Sequence, residues 1–140
     1  MTTKEKGNLT EILCLCEFAK LGLKVSIPYG EDCKYDFIID VNGHLLKIQC
    51  KTSHKLESLE GFEFKCESVV TTTHKIVTNK YTLNDIDFFA TMDNNQCYLV
   101  PVEECGARKT LRYNYPRNGQ KKGISLAENY KLEGMIKQFE

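Results

Sequence analysis

The stretch of sequence that decides the fold is YDFIIDVNGHLLKIQCKT, residues 35–52. Asn42-Gly43 lies between two runs rich in β-branched and aliphatic residues, and this dipeptide is the strongest short-range signal for a hairpin turn. A two-residue turn fixes which residues face each other across the two strands, and it predicts Asp36 opposite Gln49. A four-residue loop would give the same register.

Side chains alternate between the two faces of a strand, so this hairpin has one apolar and one polar face. The predicted core face carries Phe37, Ile39, Val41, Leu46, Ile48 and Cys50. The opposite face carries Asp36, Ile38, Asp40, Lys47, Gln49 and Lys51. The apolar face fixes the register, because a slip of one residue would bury the charges.

Three polar groups are expected to converge at the open end of the polar face. Cross-strand neighbours such as Asp36 and Gln49 have Cβ atoms roughly 5 Å apart, and Lys51 points the same way two residues further on. Oxygen ligands suit Mg²⁺, and the backbone carbonyl of Cys50 offers one more. Lys51 would orient or deprotonate an attacking water, or neutralise charge on a phosphate in the transition state. The alternative is an exposed sheet face with an ordinary surface ion pair.

The remaining sequence predicts an α/β (α+β) protein whose sheet is largely antiparallel. Helical spacing of apolar residues over 8–21 indicates a first helix, with Asn8 as its cap and Gly22 just past its end. Further strands are predicted over 23–27, 61–73, 87–92, 96–102 and 110–115, and a terminal helix over 125–139.

Composition predicts one globular domain covering residues 1–140. Apolar residues make up 41% and charged residues 27% of the chain, which excludes a disordered protein. No apolar run is long enough for a membrane span or a signal peptide, so the expected location is the cytoplasm. The seven cysteines form no CxxC pair and are expected to be reduced.

The net charge is zero, but basic residues are concentrated in one segment. No acidic residue occurs between Cys105 and Ala127, and Tyr113 and Tyr115 lie within this span. Its basic residues are Arg108, Lys109, Arg112, Arg117, Lys121 and Lys122. Such a segment indicates either a surface that binds nucleic-acid phosphates or an ordinary solvated loop.

An ordered set of short motifs resembles the PD-(D/E)xK nuclease superfamily, in particular its homing-endonuclease and Holliday-junction-resolvase-like branch. The motifs are Lys6-Gly7-x-x-x-Glu11, Tyr35-Asp36 and Ile48-Gln49-Cys50-Lys51-Thr52. The C-terminal stretches Phe88-Phe89, Tyr98-Leu99-Val100-Pro101 and Asn118-Gly119-Gln120-Lys121 are also similar to that branch. The resemblance is weakest between Ser53 and Leu83.

This resemblance implies a restriction-endonuclease-like core, with a mixed central sheet flanked by helices, and Mg²⁺-dependent hydrolysis of double-stranded DNA. Mn²⁺ is the expected substitute ion. The resemblance assigns Asp36 as a metal ligand, Gln49 to the second acidic position, Lys51 as the catalytic lysine and Glu11 as a supporting acid that adds a second carboxylate. Because one site cuts one strand, cleavage of a duplex predicts a homo-oligomer, a dimer or higher, of which a homodimer is the simplest.

Two departures from the family pattern keep alternatives open. Tyr35 stands where the superfamily has proline, and Gln49 replaces an acid, which removes one negative charge from the site. Glu11 also has the spacing of a capping box with Asn8. The alternative functions are a junction or structure-specific resolvase, a nuclease acting on RNA, and a catalytically inactive DNA-binding module on the same fold.

Overall fold

The computed structural model describes residues 1–140 and has three sheets and two α-helices. In chain order the elements are α1 (Thr3–Lys20), β1 (Lys24–Ser26), β2 (Phe37–Val41), β3 (His44–Cys50), β4 (Ser53–Lys55), β5 (Gly61–Lys65), β6 (Glu67–Thr71), β7 (Ile76–Lys80), β8 (Phe88–Asp93), β9 (Gln96–Pro101), β10 (Arg108–Arg112) and α2 (Leu132–Ile136). The central sheet has the order β1-β2-β3-β8-β9 and is antiparallel except for the parallel pair β3–β8. The predicted α+β class with a mixed central sheet is confirmed.

The β2–β3 hairpin forms as the sequence predicts. Asn42 and Gly43 both have positive φ, 54° and 89°, which is the requirement of the tightest hairpin turn. The Gly43 amide donates to the Asp40 carboxylate at 2.8 Å. Phe37 pairs with Ile48 and Ile38 with Lys47, so the predicted register is confirmed. All six residues of the predicted core face are buried, and α1 packs on them.

Helix α1 begins five residues before the predicted start. Thr2 is its cap: the Glu5 amide donates to the Thr2 hydroxyl at 3.1 Å, and the Thr2 amide donates to the Glu5 carboxylate at 3.2 Å. Asn8 lies inside the helix, so the prediction that it caps α1 is wrong, and Glu11 is not part of a capping box. The stronger signal was the Thr2/Glu5 pair further upstream.

The apolar stripe that predicts α1 is not the face that α1 buries. Thr10, Cys14 and Phe18 are buried against the sheet. The stripe of Leu9, Ile12, Leu13 and Cys16 is exposed, with 62% of Ile12 accessible. Helical periodicity therefore predicted the element correctly but left its orientation undetermined.

The long connection from β3 to β8 contains a second layer that the sequence predicted only in part. The single strand expected over 61–73 is wrong, because the chain turns at Cys66 and its halves, β5 and β6, join different sheets. Strands β4 and β7 were not predicted. A three-stranded sheet of order β10-β5-β4 packs Phe62, Phe64 and Leu111 on the face of the central sheet opposite α1.

The C-terminal residues wrap around this core without forming one continuous helix. The predicted helix over 125–139 is interrupted, because Leu126 and Lys131 are extended, with ψ of 130° and 138°. Two 3-10 turns, over 127–130 and 137–139, flank α2. Neither helix has the length and hydropathy that crossing a bilayer requires.

Candidate active site

The candidate site lies at the C-terminal end of β3, where α1 approaches from one side and the second layer from the other. Asp36 stands one residue outside the regular ladder, and its amide donates to the Ile48 carbonyl at 2.8 Å. Its carboxylate accepts the Cys50 amide at 2.8 Å. The side chain thus takes the place of a strand carbonyl, which holds Asp36 beside the end of β3.

Glu11 reaches the same point from α1. Its carboxyl is near enough to Asp36 for each group to affect the pKa of the other. Burial, followed by the charge of Asp36, raises the pKa of Glu11. Burial also raises the pKa of Asp36, against the opposing effects of the Cys50 amide and Lys51. Two neighbouring, partly buried carboxyl groups form a site that favours a bound cation or proton.

Lys51 directly follows β3, and its charge acts on Asp36 to lower the pKa of that carboxyl. Its backbone is fixed to β8, since its amide donates to the Ala90 carbonyl at 2.9 Å and its carbonyl accepts the Thr91 hydroxyl at 2.6 Å. Its ammonium lies 5.2 Å from the centre of the Tyr81 ring. Burial lowers the pKa of Lys51, while the charge of Asp36 opposes that change.

Gln49 and Cys50 supply the remaining candidate oxygen atoms. Gln49 is half-buried and leaves β3 on the same face as Lys51. The Cys50 side chain is buried in the main core. In a strand the amide and carbonyl of one residue point to the same edge, so the Cys50 carbonyl faces the edge where its amide meets Asp36.

A hydrogen bond between two threonines fixes α1 relative to this strand end. The Thr10 and Thr52 hydroxyls are 3.0 Å apart, and the Thr10 hydroxyl donates to the Lys6 carbonyl at 3.0 Å. Gly7 and Glu11, one helical turn apart, lie on either side of Thr10 along α1. No sequence pattern indicates this contact, because the two threonines are 42 residues apart.

A cleft of about 620 Å³ opens at the end of β3, where Cys50 and Lys51 line it, whereas Glu11 and Asp36 are not among its lining residues. Its walls are the first turns of α1, the chain from β3 into β4, and the junction of β5 with β6. Among the lining residues are Lys6, Gly7, Cys50, Lys51, Lys65 and Glu67. Sequence reasoning missed Lys65 and Tyr81, both in the region where the motifs are weakest.

The six basic residues predicted to bind DNA do not share one surface. Arg108 and Arg112 alternate with Lys109 along β10 and point away from the core. Arg108 forms an ion pair with Glu63 at 2.8 Å, and it is the cross-strand neighbour of Lys65 in the cleft. Lys109 faces the other way and donates to the Glu104 carbonyl at 3.2 Å. Arg117, Lys121 and Lys122 are exposed in the following loop.

Comparison with known proteins decides the family. A model of the family described as PD-(D/E)XK endonuclease matches residues 1–133. The chain belongs to the PD-(D/E)XK endonuclease family. This PD-(D/E)XK endonuclease is similar in structure to the bacterial homing endonuclease I-Ssp6803I, with a TM-score of 0.80 and 25% sequence identity over 99% of this chain and 96% of that one. No curated protein matches the chain significantly. The resemblance inferred from the motifs is confirmed.

The donor set of this PD-(D/E)XK endonuclease fits the divalent metal ion that such nucleases usually use. Glu11 and Asp36 provide two neighbouring carboxylates, and the Cys50 carbonyl faces the edge where the Cys50 amide meets Asp36. Gln49, one residue before Cys50 in β3, offers an amide oxygen on the opposite face of the strand. Hard cations prefer all-oxygen ligands of this kind. No third Asp, Glu, His or Cys joins the two carboxylates in a cluster of metal-binding geometry.

Proposed function

We propose that this PD-(D/E)XK endonuclease hydrolyses phosphodiester bonds in double-stranded DNA with Mg²⁺ as its cofactor and Mn²⁺ as a substitute. The observation that carries the proposal is the electrostatic coupling of Asp36 to both Glu11 and Lys51, with Lys51 on the wall of a cleft that Lys6 and Lys65 also line. These three residues come from α1, the start of β2 and the end of β3, so only the folded chain assembles them.

Each polar residue of the cluster has a distinct role in this proposal. Asp36 and Glu11 hold the cation, together with the Cys50 carbonyl and the Gln49 amide oxygen. A bound cation supplies charge neutralisation at the phosphate and makes water more acidic. Lys51, whose pKa burial lowers, holds the attacking water and gives or takes its proton. Its ammonium form also stabilises negative charge on the phosphate oxygens.

The DNA backbone follows the cleft and then the outer face of the second sheet. Lys6 and Lys65 line the cleft, and Arg108 continues the basic surface from Lys65. Arg112 lies on the same face of β10 as Arg108 and extends this surface, whereas Lys109 faces the other way. Arg117, Lys121 and Lys122, exposed in the loop after β10, are proposed as further phosphate contacts. Gly7 is half-buried, and a Cβ atom there would meet nothing within 4 Å. The absence of a side chain therefore leaves room for a phosphate rather than for a neighbouring part of the protein.

We also propose that the chain acts as a homodimer in the cytoplasm. The exposed stripe of Leu9, Ile12, Leu13 and Cys16 is a candidate interface, and its helix begins at the cleft. A two-fold contact along α1 would bring two cleavage sites together, one for each DNA strand. Sedimentation of Ile12→Glu tests this: the variant should be a monomer, and an unchanged mass would exclude this interface. Seven free thiols agree with a reducing compartment.

The direct test of metal use is calorimetric titration with Mg²⁺ beside a plasmid-nicking assay. The wild-type chain should bind the ion and nick supercoiled plasmid, and EDTA should stop nicking. Asp36→Ala should lose both properties. Asp40→Ala is the matched control, because Asp40 lies in the same strand at the turn end. Nicking that persists in EDTA would contradict the proposal.

Gln49 supports a second candidate function, a catalytically inactive DNA-binding module. A neutral ligand weakens cation binding, since ligand charge tunes affinity. Under this alternative the wild-type chain binds duplex DNA but neither binds Mg²⁺ nor nicks, while Gln49→Glu gains metal affinity. Comparing linear duplex, four-way junction and RNA in the same assay separates the DNA endonuclease from a resolvase and from an RNA nuclease.

A further inference from the structure

The hairpin of β6 and β7 stands apart from the rest of the fold. It forms a two-stranded sheet of its own, in which Val69 pairs with Thr78 and Thr71 with Ile76. Its tip is closed by the Thr72 amide, which donates to the Lys75 carbonyl at 2.8 Å. Every residue from Val69 to Ile76 is exposed. An isolated two-stranded hairpin is at best marginally stable in water, so this exposure indicates a partner.

The composition of the hairpin indicates a polyanionic partner. No acidic residue occurs from Ser68 to Asn84, a span that contains His74, Lys75 and Lys80. The tip carries three consecutive threonines, residues 71–73, and Asn79 lies in β7. Side chains of these types donate and accept hydrogen bonds at base edges. Exposed Val69, Val70 and Ile76 offer the apolar contacts that thymine methyl groups take up.

The hairpin is continuous with the candidate active site. Its base residues Glu67, Ser68 and Val69 form one wall of the cleft that Lys51 and Lys65 also line. Tyr81, directly after β7, lies over the Lys51 ammonium. A duplex seated in the cleft would therefore meet the hairpin next to the phosphate at Lys51.

The dimensions of the hairpin match a groove of B-form DNA. Neighbouring strands are about 4.8 Å apart, and a five-residue strand extends about 17 Å. The major groove is about 12 Å wide and about 8.5 Å deep and admits a two-stranded β-ribbon. The ribbon is thus long enough to reach the floor of the groove while its base stays in the cleft wall.

We propose that the β6–β7 hairpin enters the major groove beside the cleavage site and determines which DNA sequence is bound. This inference rests on the proposed function, since it takes the same duplex as ligand. A second copy of the chain is the less favourable partner. Pairing two such hairpins would bring Lys75 of both copies together near the tips, while the one acid of the hairpin, Glu67, already faces Lys80 at the base.

The test shortens the hairpin and measures sequence preference. Joining Val69 to Thr78 through Asn-Gly removes the tip and keeps the paired base. Duplexes bound from a pool with a randomised segment are sequenced for the full-length and shortened chains, each carrying Lys51→Ala so that cleavage cannot deplete the pool. We expect the full-length chain to enrich one sequence, and the shortened chain to bind that sequence at least tenfold more weakly with little enrichment.

A single substitution provides a second measurement on an intact fold. Lys75→Ala should lower the slope of log affinity against log salt by about 1, whereas Lys24→Ala, on edge strand β1, should leave it unchanged. Unaltered enrichment by the shortened chain would overturn the inference. A lower oligomer mass with unaltered enrichment would assign the hairpin to a second copy instead. A wild-type chain that never nicks would refute the proposed nuclease activity, yet these binding measurements would still decide the role of the hairpin.

Discussion

Gly7→Ala should make the protein more stable and less active at the same time. Gly7 is an interior residue of the 18-residue helix α1, where glycine costs about 0.5–1 kcal/mol relative to alanine. The added Cβ would meet no atom within 4 Å, so no clash offsets this gain. For 140 residues the unfolding entropy is about 0.3 kcal/mol per kelvin, and Tm should therefore rise by about 2–3 °C.

The same methyl group projects into the cleft that we assign to the DNA backbone. A phosphate displaced by about 1 Å from its reactive position loses on the order of 100-fold in rate. We therefore expect the single-turnover cleavage rate of Gly7→Ala to fall by about 10- to 100-fold. The pair of measurements is thermal unfolding and cleavage of a labelled duplex under saturating enzyme.

Gly134→Ala is the matched control for this prediction. Gly134 is exposed in α2, outside the residues that line the cleft, and a Cβ atom there also meets nothing within 4 Å. It should raise Tm by a similar amount and leave the cleavage rate unchanged. A Gly7→Ala chain that is stabilised but cleaves at the wild-type rate would refute the placement of DNA along α1.

Three further substitutions test individual contacts of the site. Asp36→Asn should raise Tm in EDTA at pH 7, because the raised pKa of Asp36 means that ionisation of its carboxyl group opposes folding. Wild-type stability falls as pH rises from the usual Asp range through that raised pKa, so the gain in Tm should shrink as pH is lowered. A gain in Tm that is independent of pH would contradict the assignment. Thr10→Val removes the hydroxyl contact with Thr52 and should lower the free energy of unfolding by about 1 kcal/mol, with a urea double-mutant cycle against Thr52→Ala as the check. Tyr81→Ala removes the ring over Lys51 and should slow cleavage about tenfold. Tyr81→Phe keeps the ring and should cleave within about threefold of the wild-type rate. Equal cleavage rates for the Ala and Phe variants would exclude a role for the ring.

Local signals predicted the part of the fold that the site depends on most. Asn42-Gly43 set the turn, and six alternating apolar residues set the register, so the buried face of β2 and β3 was correct residue by residue. Both signals act between residues close in sequence. The same alternation predicts that Asp36 and Lys51 share the polar face, and the charge of Lys51 does act on Asp36.

Sequence patterns did not predict the contacts between segments that are distant along the chain. The run over 61–73 alternates like one strand, yet the chain bends at Cys66, because β5 pairs with β4 and β10 whereas β6 pairs with β7. Tyr81 reaches Lys51 across 30 positions, and nothing in the spacing indicates that contact. The orientation of α1 was undetermined for a related reason: its exposed stripe is as apolar as its buried one.

The most direct measurement is the single-turnover cleavage rate of Lys51→Ala with Mg²⁺ on a labelled duplex. Removing a positioned proton-transfer group costs about 10²- to 10⁴-fold, so the variant should cleave at no more than about 1% of the wild-type rate, with its affinity for DNA largely retained. Lys47→Ala, which changes a lysine four residues earlier on the same face of β3, should cleave like the wild type. Cleavage by Lys51→Ala at the wild-type rate would contradict the assignment of this site.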